Sequence, residues 1–423
     1  PLIQKNTTNT IRLTTQESIE NLPIRGLQNI LALEAGVVMQ DGDLYVRGGR
    51  SGEVAFYLDG ASTTNPISNT QSVGVIQEAI EEVQLQAGGY TAEFGGSNSA
   101  ITRTTLRAGQ SQMKATFDLQ TDNFAKPGSA YFGSSSFGYR NIVATVSGPI
   151  IPNLKFFLAG QENYVRNRDF RYVTPFEFDS LVTDIHDSRG AGVPLPGPVR
   201  FRENYIPNNW RDAYTVQGTL VYDFHPYKLR FTGSYEWSKL PIDGSWPSAL
   251  QGYFNQKRDR LDETMTGFGN LRFTHIASTT TFYEIGLSYQ NRYFHRYDPD
   301  FKDDWTKYVD SAANVAKGYT GFRGYFEGPS AYSTIRSFTF DNENAPNNTY
   351  SKNAQISTGI TADITSQILK KWEMKAGGRL DLWKTRNLTV GDISSAMIFL
   401  YGKDGHTPRY PAVLTDSLEM DRR

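Results

Sequence analysis

The sequence contains no cysteine among its 423 residues, so a disulfide framework and a thiolate metal site are both excluded. No apolar run approaches the roughly 20 residues that a membrane-spanning helix requires, which excludes a helical membrane protein. The formal net charge is −1, and nothing in the overall charge attracts the chain to nucleic acid or to anionic lipid. Two classes remain: a soluble β protein, and a β-barrel, whose alternating strands are hidden from hydropathy averages.

Signals for catalysis and metal binding are missing as well. The five histidines are scattered, and none has the spacing of zinc ligands: they are His186, His225, His275, His295 and His406. The acidic stretch DPDFKDD at residues 298–304 lacks the glycine and the terminal glutamate of an EF-hand loop, so we expect a solvated loop there. We therefore predict no enzyme activity, no metal and no cofactor.

Residues 1–110 have the pattern of a compact mixed α/β domain. The stretch TTQESIENLPIRGLQNILALEAGV predicts two short helices that are separated by Pro23. Short apolar runs that each end on glycine follow it, as hairpins and tight turns require: LYVRGG, EVAFYLDG, IEEVQLQAGG and ITRTTLRAG.

Beyond Met113 the pattern changes to long strands with a period of two. In KLRFTGSYEWSK, one face carries Leu229, Phe231, Gly233, Tyr235 and Trp237, and the other carries Lys228, Arg230, Thr232, Ser234 and Glu236. Several such runs match the 9–11 residues of a tilted transmembrane strand. Because a lysine or arginine on the lipid face costs roughly 2–4 kcal/mol at mid-bilayer, we expect the first set to face lipid and the second to face a lumen.

The connections between these strands alternate in length. Short connections are GPIIPNLK, HPYK, HIAST and SQILKK, and the long ones span about 122–138, 167–212, 240–263, 296–350 and the residues after 386. Outer-membrane barrels alternate in this way, with short periplasmic turns and long extracellular loops. Tyrosines and tryptophans near strand ends would suit the aromatic girdles at the membrane interfaces: Tyr235, Trp237, Tyr293, Trp372 and Trp383. The pattern favours an antiparallel transmembrane β-barrel over a soluble sandwich.

The glycine-rich stretch RGGRSG at residues 47–52 lacks the lysine and the spacing of a phosphate-binding loop. Together with its surroundings it carries a resemblance instead. LYVRGGRSGEVAFYLDGASTTNP, followed by IEEVQLQAGGYTAEFGGSNSAITRTTLRAG, resembles the plug domain of TonB-dependent outer-membrane receptors, in particular the Oar-like branch with large barrels. VSGPIIPNLKFFLAGQENY is similar to the first periplasmic hairpin of that branch. The resemblance covers most of residues 12–165.

The resemblance implies that residues 1–110 form a plug inside the lumen of a barrel that begins in residues 111–423. We predict plug contacts and turns at Arg47, Gly48, Gly49, Arg50, Asp59, Gly60, Glu93, Phe94, Gly95 and Gly96, and the alternative is that these residues simply build hairpin turns. We expect Arg47 and Arg50 to pair with lumen-facing acids such as Asp118, Glu236 or Asp381. We expect Asp59 to hold a turn, and we expect polar plug–wall contacts rather than an apolar seam, because water can replace them when the plug moves.

The resemblance also implies 22 strands, against about nine that the sequence supplies. We therefore expect the chain to be a piece of a longer protein. The family's TonB-contacting segment would lie upstream of Pro1. The end of the plug reads TTLRAG where the family usually has a TKSG-like stretch, and we expect that departure to change little.

Three functions remain open for a protein of this kind. The first is an energy-coupled receptor of the bacterial outer membrane, which binds an extracellular ligand, contacts TonB and lipid, and imports the ligand by moving the plug. The second is an adhesive or structural surface protein on the same scaffold. The third is a soluble β-sandwich hydrolase or lectin, against which the strand pattern and the alternating connections count. None of the three involves nucleic acid.

Overall fold

The computed structural model describes residues 10–401 with gaps. The gaps are residues 23, 41, 89–94, 96, 127–128, 133, 169–175, 179–185, 188–189, 192–198, 202–205, 207, 242–250, 320–331, 336–337, 342–345 and 370–371. Glu93, Phe94 and Gly96, which we predicted as plug residues, lie outside the described part.

The described residues up to Leu106 form a mixed α/β unit, which we call the plug. Its five-stranded sheet has the order β1-β6-β7-β4-β5, with β4 parallel to β7 and the other neighbours antiparallel. A separate hairpin joins β2 and β3. The strands are β1 (Thr10–Thr15), β2 (Val37–Gln40), β3 (Asp43–Val46), β4 (Val54–Leu58), β5 (Ala61–Ser62), β6 (Ile80–Ala87) and β7 (Ala100–Leu106).

The plug contains the two short helices that the sequence predicts, α1 (Gln16–Glu20) and α2 (Leu27–Leu31). A 3-10 turn, Gln77–Ala79, precedes β6. Ile19, Ile30 and Leu31 are almost fully buried and pack with Val46, Val83 and other apolar side chains of the sheet. Burial of the apolar helix residues, at roughly 1.5–3 kcal/mol for each large side chain, stabilises helices that are too short to form alone.

A nine-stranded antiparallel sheet, which we call the wall, follows the plug. Its order is β24-β23-β20-β19-β18-β17-β12-β11-β8, so each strand pairs with the next long strand of the chain. The wall strands are β8 (Lys114–Thr121), β11 (Tyr139–Ile151), β12 (Leu154–Val165), β17 (Arg211–Phe224), β18 (Tyr227–Pro241), β19 (Leu261–Ile276), β20 (Thr281–Tyr297), β23 (Tyr350–Leu369) and β24 (Trp372–Val390). Short turns and long connections alternate between them, which confirms the prediction.

Polar residues are buried on the plug side of the wall and apolar residues are exposed on the other side. Gln217 and Thr232 are 0% exposed, whereas Phe231 and Tyr235 are 45% and 50% exposed. This distribution is the reverse of a soluble protein, in which large apolar side chains are inside. It is the distribution of a barrel whose outer face meets lipid, and it excludes the soluble sandwich.

The long connections contain smaller elements. Short strands pair as β9 (Ala130–Tyr131) with β10 (Ser134–Ser135), β13 (Phe176–Phe178) with β16 (Val199–Phe201), β14 (His186–Asp187) with β15 (Gly190–Ala191), and β21 (Tyr332–Ile335) with β22 (Phe338–Asp341). The helices are α3 (Ser311–Ala316) and α4 (Ile393–Tyr401), with 3-10 turns at Gln256–Arg258 and Trp305–Lys307. In the described part of the chain, no helix is both long and apolar enough to cross a membrane.

The acidic stretch 298–304 is only partly the solvated loop that we expected. Asp298 is 0% exposed, and its carboxylate accepts hydrogen bonds from Arg258 at 3.0 Å and from Asn347 at 2.6 Å. Beside it, Phe301, Trp305 and Tyr308 pack with Tyr350 and with α4 in an apolar cluster outside the plug. Asp298 and Phe301 are buried because they have partners from distant parts of the chain, which the local sequence does not show, whereas Asp300, Lys302, Asp303 and Asp304 are exposed.

Candidate functional site at the plug–wall interface

The turn between β4 and β5 brings Asp59 to the wall. Asp59 and Gly60 have φ angles of +48° and +86°, which is the left-handed geometry of a two-residue hairpin with the preference Asp-Gly. At Gly60 a Cβ atom would collide with the Arg272 guanidinium of the wall. Glycine therefore allows both the turn and the close approach.

Asp59 is the most heavily bonded plug residue at the interface. Its carboxylate oxygens lie 3.0 and 3.1 Å from Arg230 Nη2, and Thr232 Oγ1 donates to Oδ2 at 2.5 Å. Its backbone carbonyl accepts from Asn270 Nδ2 at 2.9 Å and from Arg272. Because the Asp59 and Arg230 side chains are only 2% and 14% exposed, water screens this ion pair weakly.

A second group of contacts uses polar side chains of β17 and β18. Gln217 accepts from the backbone N–H of Ile76 at 2.8 Å and donates to the Gly74 carbonyl at 2.5 Å. Glu236 accepts from the Gly74 N–H at 3.3 Å, and Thr219 donates to the Arg107 carbonyl at 2.6 Å. The wall thus supplies hydrogen-bond partners for irregular backbone in the plug, where no strand ladder does so.

Contacts at the two edges of the wall complete the interface. Arg25 of the plug pairs with Asp118 on β8 at 3.0 Å, and it also pairs with Glu78 within the plug. At the other edge, Asn65 donates to Gln355 on β23 at 2.8 Å. One compact unit therefore contacts both the first strand of the wall and one of its last two.

An apolar seam crosses the same interface. Leu58, Ile76 and Leu106 of the plug pack with wall residues of β11, β12 and β19, namely Val143, Phe157, Ala159 and Phe268. Our expectation of polar contacts without an apolar seam was therefore wrong. These wall residues share the inward parity of the polar ones, and a lumen filled by a folded plug can bury apolar side chains that a water-filled lumen would not.

The pairing that we predicted for Arg47 and Arg50 is not present among the described residues. Arg47 donates to the Ala87 carbonyl of the plug itself at 2.8 Å. The backbone N–H of Arg50 donates to Glu53 at 3.0 Å, and the Arg50 side chain is exposed. Arg47, with a φ of +50°, and Gly48, with +75°, form a turn, and the Arg47 side chain contacts the plug rather than the wall.

The other predicted site residues lie either inside the plug or beside partners that we did not predict. A Cβ on Gly49 would contact Ser99, so this glycine allows close packing inside the plug, whereas Gly95 is exposed with nothing near it. The three acids have partners other than Arg47 and Arg50: Asp118 pairs with Arg25, Glu236 lies 4.0 Å from Arg211, and Asp381 pairs with Arg379 on its own strand at 2.6 Å.

Sequence reasoning missed Arg25, Gln217, Arg230 and Arg272 as interface residues. Arg230 and Arg272 could have been predicted, because both lie on the polar face of their strands, where a buried positive charge needs a partner. The same parity places Gln217 on the polar face of AYTVQGTLVYDF, but the sequence does not show its partners in the plug.

Two cavities adjoin the interface. One, of about 290 Å³, is lined by Asp59, Gly60, Arg103, Thr104, Thr105, Lys228, Arg230, Arg272, Thr274 and Glu284. The other, of about 240 Å³, lies beside Arg107, Lys114 and Phe157. Next to it, hydrogen bonds from Gln16 and Arg107 hold the pKa of Glu20 below its ordinary value. No group of three or more histidine and carboxylate side chains that could hold a metal ion occurs in the described residues.

Comparisons with known proteins agree with this architecture. Residues 3–101 match the family model "TonB-dependent Receptor Plug Domain". The chain is 23% identical over 211 residues to the TonB-dependent transporter Oar of Myxococcus xanthus. The aligned region covers 47% of this chain and 19% of Oar.

Two solved structures share the fold. The outer membrane transporter YddB of Escherichia coli has a TM-score of 0.57 at 11% identity, covering 90% of this chain and 48% of YddB. A mutant of the ferric enterobactin receptor PfeA of Pseudomonas aeruginosa has a TM-score of 0.56 at 12% identity, and the match covers 90% of this chain and 50% of PfeA. This chain thus spans about half the length of these structures and about a fifth of Oar. Residues 3–101 are thus a plug domain of the kind found in TonB-dependent receptors, and the wall that follows has the fold of outer-membrane transporters of known structure.

Proposed function

We propose that the chain is the plug (residues 1–110) and the first part of the barrel (residues 111–423) of a receptor that imports an extracellular ligand by energy-coupled movement of the plug. In this proposal a segment upstream of the plug contacts TonB, which pulls on it with energy from the inner-membrane proton gradient. The observation that carries the proposal is the set of polar contacts centred on Asp59, which holds a separately folded unit against the inner face of the wall.

The composition of the interface supports a plug that can move. The hydrogen bonds of Asp59, Gln217 and Thr219 to their partners can be exchanged for bonds to water, and two cavities beside them give water access. Each exchanged neutral hydrogen bond changes the free energy by only about 1 kcal/mol. The apolar seam opposes movement, so the plug stays in place until work is done on it.

The wall does not depend on the plug for its backbone hydrogen bonds. All nine strands pair with one another along registers of eight to nineteen residue pairs. Movement of the plug therefore leaves the sheet intact, which a transport cycle requires.

A cysteine reporter tests the proposal. Ala159 is 0% exposed at the seam, and the chain has no cysteine of its own. In the full-length protein in living cells, Ala159→Cys should react with a small polar maleimide much faster when TonB and the proton gradient are both present than when either is missing, because together they drive movement of the plug. The control is Asn123→Cys, an exposed residue in the first long connection, which should react under all conditions.

The alternative function, a surface adhesin or structural protein on the same scaffold, predicts a static plug. Equal labelling of Ala159→Cys in energised cells, in cells treated with a protonophore and in cells without TonB would contradict import and favour this alternative.

A further inference from the structure

The larger interface cavity is strongly cationic. Its lining includes four positively charged side chains, Arg103, Lys228, Arg230 and Arg272, and only two carboxylates, Asp59 and Glu284. Both carboxylates already accept hydrogen bonds from neighbours: Asp59 from Arg230 and Thr232, and Glu284 from Thr274 Oγ1 at 2.7 Å. The cavity therefore has an excess of positive charge that its own acids do not neutralise.

The strand register concentrates this charge. Arg230 on β18 and Arg272 on β19 are directly opposite each other, and Lys228 lies two residues from Arg230 on the same face. Like charges directly opposite on neighbouring strands destabilise a sheet. Two arginines in this position therefore call for an anion between or beside them.

Asp59 is that anion for only one of the two arginines. Its carboxylate bonds to Arg230, whereas Arg272 reaches the neutral backbone carbonyl of Asp59. Among the residues that the structure describes, neither Arg272 nor Lys228 has a carboxylate within salt-bridge distance. These two cations are available for a charge from outside the chain.

The cavity has room for a small oxyanion together with water, and its charge selects the kind of ligand. Its volume of about 290 Å³ is at the lower limit of pockets for drug-sized ligands, which span roughly 300–1,000 Å³. Arginine forks and lysine suit tetrahedral oxyanions, with short charge-assisted hydrogen bonds. The hydroxyls of Thr104, Thr105 and Thr274 in the lining add neutral donors.

We propose that this cavity, which we call the Arg272 cavity, binds a phosphate-type oxyanion that bridges the plug and the wall. Thr104 and Thr105 belong to β7 of the plug, whereas Lys228 and Arg272 belong to the wall. A bound dianion accepts hydrogen bonds from the plug and is attracted to the wall cations, and so strengthens the resting position of the plug. The cavity lies near the short turns between β17 and β18 and between β19 and β20, which is the periplasmic end in the proposed orientation.

Calorimetry on the full-length protein in detergent micelles tests the site. Sodium phosphate should bind saturably, with a dissociation constant below about 1 mM. Sodium chloride at matched ionic strength should give no saturable heat. Arg272→Gln should weaken phosphate binding at least about tenfold, and Lys228→Gln should weaken it several-fold. Lys228 is exposed, so its variant keeps the test valid if Arg272→Gln fails to insert.

The matched control is Lys384→Gln, which removes the same charge from an exposed position on β24. Glycerol phosphate, titrated in parallel, separates a free ion from a phosphate group on a larger molecule, and binding of either one supports the site. Phosphate should also slow labelling of Ala159→Cys in the same micelles, because it holds the plug to the wall.

Two results would overturn the proposal: no saturable phosphate binding to the parent protein, or equal weakening by Lys384→Gln and Arg272→Gln. Since the measurement needs neither TonB nor a proton gradient, its outcome is independent of whether the protein imports a ligand.

Discussion

Asp59→Asn should loosen the plug more than any other single isosteric change at the interface. Asparagine keeps the shape of aspartate and tolerates the positive φ of +48°, whereas alanine would add backbone strain of about 1–2 kcal/mol. The change removes the negative charge opposite Arg230 and leaves one oxygen to accept from either Arg230 or Thr232.

The magnitude follows from burial. Removing one partner of a fully buried ion pair costs about 3–5 kcal/mol, because the other charge stays buried without compensation. Arg230 is 14% exposed and borders the Arg272 cavity, so water can hydrate part of its charge. We expect a loss of about 2–3 kcal/mol in the free energy that holds the plug closed.

The assay is the labelling rate of Ala159→Cys in the purified full-length protein. When opening is faster than labelling, the rate is proportional to the population of the open state. A loss of about 2–3 kcal/mol therefore raises the rate roughly 30- to 160-fold. Arg230→Gln should act in the same direction, and the double variant should show coupling of about 1–2 kcal/mol rather than additive effects.

The control is Arg47→Gln with Arg50→Gln. Neither arginine pairs with the wall among the described residues, so we expect the labelling rate to stay within about twofold of the parent. An Asp59→Asn rate equal to that of the parent, or strictly additive effects of Asp59→Asn and Arg230→Gln, would refute the view that this ion pair holds the plug.

Three further predictions concern other parts of the chain. Spin labels at Phe231 and Thr232 should differ, with only position 231 accessible to a lipid-soluble relaxant, and equal accessibility would contradict the assigned faces. Phe157→Ala should destabilise the plug–wall seam by about 3–5 kcal/mol, seen as a lower urea midpoint for loss of plug structure, whereas an unchanged midpoint would mean that the seam contributes little. Burial and a hydrogen bond to Asp300 raise the pKa of Tyr319 to about 12. Stability of the outer loops should therefore be full below pH 10 and fall as pH rises from about 10 to 12. The fall, followed by ultraviolet difference absorbance, should be smaller in Tyr319→Phe than in the parent protein. Identical pH profiles of the two proteins would contradict the assignment.

The sequence alone predicts the wall because a transmembrane strand repeats its environment every two residues. Phe231 and Thr232 are neighbours in the chain and face opposite sides, and the parity in KLRFTGSYEWSK shows which is which. Strand ends were less predictable: β23 has 20 residues, against the 9–11 that cross a bilayer. The extra residues continue the ladder into the long connections, where pairing with a neighbouring strand, rather than hydrophobicity, decides where a strand ends.

The contacts between plug and wall were decided by the tertiary structure. Arg230 and Asp59 are 171 positions apart, and no local pattern relates them. The sequence showed arginines in the plug and acids in the wall, and it suggested ion pairs with the arginine on the plug and the acid on the wall. At the most buried ion pair between plug and wall the charges are reversed, with the acid on the plug and the arginine on the wall.

The physical reason is that local sequence fixes what each residue prefers, whereas partners depend on how two folded surfaces meet. The LDG stretch determines a tight turn by itself, because aspartate and glycine tolerate positive φ. Whether that turn points at water or at Arg230 and Arg272 depends on the rotation of the plug against the wall, which many weak contacts set together. The sequence determined a plug domain followed by amphipathic strands with alternating connections, and only the tertiary structure decided that Asp59, rather than Arg47 or Arg50, joins them.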